Sequence, residues 1–409
     1  MKKLNKKTNA KAKTNKKDNT KAKSGAKVSV IKKNKRGKIS LTSFGKTVVI
    51  CLSVVLVLMI AVFVSVHCLI SYYYGLMNYV DVDDQTTRSE EEIDSIIEAL
   101  ESTDPNVTNS HEQEEVESNV QSGLEGIEQI REPIDGVINI LLIGVDNSGI
   151  AGDNSNYATL QNTDSMIVVS INEKTKKIVL TSLLRDSCVE IKRNNGTTVI
   201  GRLNTASLYG GYSTLFETID RNFGIEVDKF VQVDFSSFID IVNIVGGVDI
   251  YVEESEAIEL NRVLQSINII IGDPINSGLF TDTSAKIRHL NGKQALAYAR
   301  IRYNNGSDFG RTERQRKLIM TVAQQLTSLN VSQLNSLLTA LLEKVSTNLT
   351  QSECVSLMAN AMSYLRYDME SLGIPQYGMF KNITVNHKEM LEVDFVANYK
   401  AWKELVTGS

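Results

Sequence analysis

Thr47 to Ile70 forms an uncharged run of 24 residues, TVVICLSVVLVLMIAVFVSVHCLI. At about 1.5 Å rise per residue, a helix of that length crosses a hydrocarbon layer of roughly 30 Å. A cleaved secretory leader has a shorter apolar stretch behind a short basic start, whereas 46 residues precede this one. The run therefore predicts a retained transmembrane helix, a signal-anchor that divides the chain. Lys32, Lys33, Lys35, Arg36, Lys38 and Lys46 lie before it, and Asp81, Asp83 and Asp84 follow. That bias predicts a single-pass type II membrane protein in contact with the lipid bilayer, with its amino end cytoplasmic and the remainder extracellular. Tyr72, Tyr73 and Tyr74 suit the outer interface, where a ring is apolar and its hydroxyl wet.

Charge then separates the rest. Residues 1–46 carry 17 basic and 1 acidic side chain, residues 79–135 carry 2 and 18, and residues 136–409 carry 25 and 29. The first segment reads as a disordered basic tail, and residues 71–135 as an acidic extracellular stalk with transient helices, because like charges extend a chain. The nearly neutral remainder, residues 136–409, is the folded domain. It lacks the basic footprint of a nucleic-acid coat, so no specific nucleic acid is expected. Four Cys in 409 residues exclude a disulfide scaffold. A bridge between Cys188 and Cys354 stays open.

Within 136–409, strands and helices alternate. Gly136–Val145, Ser165–Ile171 and Lys177–Leu184 read as buried strands, followed by a helix carrying Leu215, Ile219 and Phe223. Phe230–Phe235 and Val248–Val252 read as strands around a helix at Phe238–Val245. Amphipathic helices are predicted at Arg311–Leu329, Val331–Leu342 and Ser352–Leu365. This alternation predicts one layered α/β domain.

The chemistry-bearing residues gather in a few places. In Tyr298–Gln315, YARIRYNNGSDFGRTERQ, an extended start puts Arg300 and Arg302 on one face, and a helix puts Arg311 and Gln315 one turn apart. Guanidinium forks suit phosphate oxygens, although salt bridges to acids such as Asp308 are an equal reading for Arg300. Asp146 and Asp164, at the ends of neighbouring strands, offer hard oxygens to Mg²⁺ or cap turns. Asp186 either orients Arg185 or accepts a proton from a substrate hydroxyl. No Gly-x-Ser-x-Gly elbow or Gly-Lys-Ser/Thr phosphate loop occurs.

The ordered motifs NILLIGVD (Asn139–Asp146), TDSM (Thr163–Met166), SLLRD (Ser182–Asp186), LNTASLYGG (Leu203–Gly211), VDF (Val233–Phe235) and GGVDI (Gly246–Ile250) continue into LNGKQALAYARIR and DFGRTERQ. In that order, from about Val137 to Val406, the chain resembles the LytR-CpsA-Psr family of cell-envelope proteins. The resemblance implies an alpha-beta-alpha sandwich with a central mixed sheet and an apolar tunnel with an arginine-lined mouth. It implies a Mg²⁺-using phosphotransferase that joins an anionic glycopolymer, of teichoic acid or capsular polysaccharide type, from a polyprenyl pyrophosphate carrier to peptidoglycan. The alternative is a polyprenyl-phosphate-binding or envelope regulatory protein with little catalysis. By correspondence Asp146 and Asp164 match the metal-site acids, Arg185, Arg300, Arg302, Arg311 and Gln315 match headgroup ligands, and Arg185, Asp186 and Arg302 are the catalytic candidates. The chain departs from the family at Asn162, where Arg is frequent, at Leu184, where Pro is frequent, and at Asn147 and Ser148, near which another Arg is frequent.

Overall fold

A computed structural model describes residues 31–33, 39–41, 57, 59, 64, 65, 67–82, 89–100, 111–145, 163–302 and 307–408. Two compact units divide the chain, Met1–Cys68 and Leu69–Ser409. In the first, Ile31–Lys33 pairs antiparallel with Ile39–Leu41, and the rest of the expected basic tail lies outside the described residues.

The predicted membrane helix requires correction. Among the described residues no helix is long and apolar enough to cross a membrane. Most of residues 47–70 falls outside the described set. The signal-anchor, the single-pass membrane localisation and the bilayer contact drawn from that run are therefore withdrawn. Nor does the tyrosine triplet as a whole face outward: Tyr73 is buried, and its hydroxyl donates to the Asn335 side chain. An uncharged run carries the composition of a span without fixing what surrounds it.

The second unit is built on a seven-stranded mixed sheet. Its strands are β1 (Asn78–Tyr79), β2 (Val137–Val145), β3 (Thr163–Asn172), β4 (Lys177–Leu183), β7 (Lys229–Asp234), β10 (Ser346–Thr347) and β11 (Asp368–Ile374), in the order β11-β4-β3-β2-β7-β10-β1. β2, β3 and β4 run antiparallel to their neighbours within that trio, while β7 lies parallel to β2 and β11 parallel to β4. Successive side chains point to opposite faces, so Leu141, Ile143, Met166, Val168 and Val179 enter one core and Ile167, Ile171, Ile178 and Leu180 another. Helices α3 (Ala206–Phe223) and α10 (Phe395–Thr407) supply residues to the first core. Helices α7 (Ser307–Leu326) and α9 (Gln351–Tyr364) supply residues to the second. The layers are thus helix, mixed sheet, helix.

A second, four-stranded sheet extends from this one. It contains β5 (Ser187–Lys192), β6 (Thr198–Arg202), β12 (Phe380–Val385) and β13 (Lys388–Val393), in the order β12-β13-β5-β6. A third layer of contacts forms around the two-stranded pair β8 (Val248–Val252) and β9 (Lys286–Leu290). There α4 (Phe235–Ile244), α5 (Glu254–Ile271) and α6 (Gly292–Ala299) share one apolar cluster through Val242, Leu260, Leu264 and Leu296. Helix α8 (Val331–Leu342) follows α7.

The acidic stalk is also revised. Residues 90–100 form α1 and 113–130 form α2, and α2 buries Val116, Val120, Leu124 and Ile127 in the first core. Glu114, Glu115, Glu117, Glu125 and Glu128 stay exposed. Burying each of the four apolar side chains contributes roughly 1.5–3 kcal/mol, whereas a like-charge pair on a wet helix face costs only about 0.2–0.5 kcal/mol. Apolar burial wins, and net charge misread the segment. At Gly123 an added Cβ would stand 2.7 Å from Phe395 Cδ2, so α2 approaches α10 more closely than any side chain there allows.

Candidate active site

Arg185 and Asp186 occupy the turn that carries the chain from β4 into β5, from the central sheet to the second one. The turn is held by backbone bonds on both sides. Leu184 N–H donates to Ile374 C=O at 2.8 Å, Leu391 N–H donates to Asp186 C=O at 2.9 Å, and Asn204 N–H donates to Arg185 C=O at 3.2 Å. A proline in place of Leu184 could not make the first of these bonds. Leu184 therefore ties the turn to β11, and this departure from the family pattern has a structural role.

Two carboxylates are interleaved with three guanidinium groups. Asp186 lies 3.5 Å from Arg185 Nε and 3.7 Å from Arg202 Nε. Asp308, at the start of α7, lies 3.6 Å from Arg185 Nε and 3.0 Å from Arg311 Nη2. Arg202 also donates to the Glu389 carbonyl at 2.9 Å through Nη2, which fixes its fork beside Asp186. The sequence reading passed over Arg202; its place directly before LNTASLYGG was the available signal.

Arg300 and Arg302 come from the end of α6. That helix stops at Ala299, so Arg300 has near-helical angles and does not begin the extended segment that was expected. Its guanidinium stacks 4.6 Å over the Phe235 ring at the start of α4, a cation–π contact that orients it. Arg314 does not join the cluster. It donates to Ile301 C=O at 2.6 Å and to Glu256 at 3.2 Å, and so clamps the segment that bears Arg300 and Arg302.

Arg300, Arg302, Arg311 and Gln315 line one small cavity of about 60 Å³ together with Gly144, Ser165, Phe235, Leu296 and Ala299. Ser165 Oγ donates to Gln315 Oε1 at 3.0 Å, which orients the amide there. Gly144, Ser165, Phe235, Leu296, Ala299 and Gln315 also line a second cavity, of about 300 Å³, whose remaining walls are nearly all apolar. Its wall on α7 consists of Leu318, Ile319, Val322, Ala323 and Leu326. Arg311, Gln315, Leu318 and Val322 follow one helical stripe, so α7 carries charge at the mouth and methyl groups along the interior. An amphiphile with an anionic head and a long apolar tail is the ligand class this shape accommodates.

Asp146 lies outside the described residues, as do Asn147, Ser148 and Asn162, and of Asp164 only the strand position is described. The register pairs Val145 with Thr163 and Gly144 with Ser165, with an irregularity between Gly144 and Val145. Asp164 is thus the extra residue of a bulge, on the strand next to the one that ends at Val145. Among the described residues no group of three or more His, Cys, Asp or Glu is placed to hold a metal. Cys188 and Cys354 are both free thiols, and burial pushes the Cys188 thiol up to about 12.

The model of the LytR_cpsA_psr family matches residues 96–406. The chain belongs to that family. The match begins inside α1, in agreement with the packing of α1 and α2 into the domain. Among curated relatives, Biofilm regulatory protein A of Streptococcus mutans is 34% identical over 216 residues, 52% of this chain and 50% of that protein. The polyisoprenyl-teichoic acid–peptidoglycan teichoic acid transferase TagV of Bacillus subtilis is 28% identical over 243 residues, 58% of this chain and 56% of that one. The chain thus spans about half the length of these relatives. The crystal structure of protein gbs0355 from Streptococcus agalactiae is 26% identical, with a TM-score of 0.52 over 69% of this chain and 90% of that one.

Proposed function

We propose that this LytR_cpsA_psr chain is a phosphotransferase that joins an anionic cell-wall glycopolymer, carried on polyprenyl pyrophosphate, to peptidoglycan. One observation carries the reading: the apolar cavity and the arginine-lined cavity share a wall, as an isoprenyl tail with a pyrophosphate head requires. The name of the Bacillus subtilis relative, which specifies transfer of teichoic acid to peptidoglycan, supports the substrate class.

In this mechanism Arg300, Arg302, Arg311 and Gln315 hold the pyrophosphate, and Arg185 faces the phosphorus that carries the glycan. An acceptor sugar hydroxyl forms the new P–O bond to that phosphorus, its proton passes to Asp186, and the P–O bond to the carrier breaks to release polyprenyl phosphate. Phosphoryl transfer needs mainly alignment and neutralisation of developing charge, which fixed guanidinium groups supply. Mg²⁺ would be held by Asp146 and Asp164, two hard carboxylates, and would neutralise phosphate oxygens when bound.

The test is incubation of the full chain with polyprenyl-pyrophosphate-linked glycans, Mg²⁺ and peptidoglycan, with digestion and mass spectrometry of the linked fragments. A phosphodiester-linked product that disappears in Arg302→Ala and Asp186→Asn is expected. Tight donor binding without any covalent product across a broad donor panel would favour the binding-protein alternative.

A further inference from the structure

The DFGRTERQ stretch brings Arg311 and Gln315 to the headgroup cavity, but its Phe309 has other neighbours. The Phe309 ring stacks on Tyr377 with 4.7 Å between centroids and 26° between planes, and on Phe380 with 5.1 Å and 25°. Tyr377 and Phe380 are 6.4 Å apart, so the three rings form one triangular cluster. Tyr377 is nevertheless 72% exposed, and Phe309 and Phe380 are only half-buried. Three joined aromatic rings left in contact with water mark a binding surface rather than a core.

The cluster is held in place from behind. Between β11 and β12 the chain makes a turn in which Met379 N–H donates to Gln376 C=O at 3.0 Å, with Gly378 at φ of 82° in the third position. The buried Asn398 of α10 clamps both ends: its side-chain oxygen accepts from Gln376 N–H at 2.9 Å, and its amide donates to Met379 C=O at 3.1 Å. Tyr377 is thus presented on a fixed turn, so little backbone order has to be imposed when a ligand stacks on it.

The same supports hold the reacting groups. Phe309 follows Asp308, whose carboxylate lies 3.6 Å from Arg185 Nε and accepts from Arg311 at the headgroup cavity. On the other side β11 ends at Ile374, whose carbonyl holds Leu184 N–H. Phe380 pairs with Val393 in the hairpin whose Leu391 N–H holds Asp186 C=O.

We infer that this aromatic cluster is a stacking platform for the acceptor, taking a pyranose ring of a peptidoglycan glycan strand against Tyr377, close to Asp186. The inference rests on the transferase reading above. An equatorially substituted pyranose has a face of C–H bonds and a rim of hydroxyls. Weakly positive C–H groups suit the negative face of an aromatic ring, and carboxylates such as Asp186 and Asp308 accept from rim hydroxyls. The acceptor is favoured over the donor sugar because Tyr377 and Phe380 belong to the turn and hairpin bonded to the Arg185–Asp186 segment, whereas Arg300 and Arg302 arrive from α6.

The experiment titrates a peptide-free tetrasaccharide of alternating N-acetylglucosamine and N-acetylmuramic acid into the full chain and into Tyr377→Ala, Tyr377→Phe and Tyr377→Trp. A short-chain isoprenyl pyrophosphate is titrated in parallel, with Arg302→Ala as its control. Tyr377→Ala should weaken the tetrasaccharide roughly three- to tenfold, the range of one aromatic contact. Tyr377→Phe and Tyr377→Trp should keep the affinity, because the ring face and not the hydroxyl is used. Isoprenyl pyrophosphate should bind Tyr377→Ala as it binds the parent chain. Equal tetrasaccharide affinity in Tyr377→Ala, or no binding to the parent chain, overturns the platform, and the exposure of Tyr377 leaves the core of that variant intact. Loss of isoprenyl pyrophosphate affinity in Tyr377→Ala overturns the assignment to the acceptor. Insensitivity of isoprenyl pyrophosphate to Arg302→Ala would instead remove the donor reading, and the tetrasaccharide series would still decide the platform.

Discussion

Asp308 accepts a hydrogen bond from Arg311 Nη2 at 3.0 Å, one turn earlier on the same helix. The guanidinium at the mouth of the apolar cavity is therefore held by an acid of its own element, and Arg311 is almost fully buried. Asp308→Ala leaves that charge without its carboxylate, which should lower the unfolding free energy by about 1–3 kcal/mol. Urea unfolding of Asp308→Ala and of the double variant Asp308→Ala, Arg311→Leu measures this. Recovery of stability in the double variant is expected, and equal loss in both would mean that the pair is not the coupled unit.

Arg300 and Arg302 differ in support. Arg300 is braced by Phe235 and half-buried, while Arg302 is exposed. Each alanine substitution should weaken isoprenyl pyrophosphate by about 1.5–3 kcal/mol. Phe235→Leu should weaken inorganic pyrophosphate less, by loosening Arg300, so that this effect shrinks in an Arg300→Ala background. A full additive effect there would separate Phe235 from the headgroup.

The apolar cavity makes a prediction that the headgroup does not share. Ala323→Trp places an indole in a space of about 300 Å³ lined by Val322, Leu326 and Ile241. Long-chain isoprenyl pyrophosphates should lose at least about 1.4 kcal/mol of affinity, a factor of ten, while inorganic pyrophosphate binds unchanged. Parallel loss of both ligands would show that the cavity and the mouth act as one structural unit without a tail-specific role.

Cys188 is fully buried in the first core, and desolvation with the nearby Glu392 raises its pKa to about 12. An unfolded thiol titrates near about 8.5, so the neutral buried form contributes its full stability below that pH. The contribution is lost as pH rises from the unfolded value through the folded one. Iodoacetamide at neutral pH should label the exposed Cys68 and the partly exposed Cys354 before Cys188, which it should reach only on unfolding. Cys188→Ala should flatten the decline in stability between pH about 9 and 11. Labelling of Cys188 at the rate of Cys354 in the folded chain would refute the assignment.

Legibility from sequence followed the strength of burial. β2, β3 and β4 are covered on both faces, so their apolar runs declare them, and α7 declares itself through its stripe from Leu318 to Leu326. The second sheet did not, because β12 and β13 set single buried apolar residues among charged and polar ones, as in KEMLEV. Arg300, Arg302, Arg311 and Gln315 could be grouped from the sequence because one short stretch carries them all, and the structure brings them to one cavity. Arg202 reaches Asp186 only through the antiparallel register that pairs it with Cys188, a relation between strands that no local spacing displays. The acidic segment failed for a simpler reason: a count of charges does not show which side of a helix they occupy.

The near-contact of Gly123 with Phe395 determines where the chain can be cut. Shortening at Gly136, where charge composition changes, would take away α2 and the segment after it, and so uncover Phe395, which packs on Gly123, and Tyr399, whose hydroxyl accepts from Glu132 N–H. The smallest autonomous fragment must therefore include the acidic helices, and a protease that nicks between α2 and β2 would leave two pieces still gripping one another.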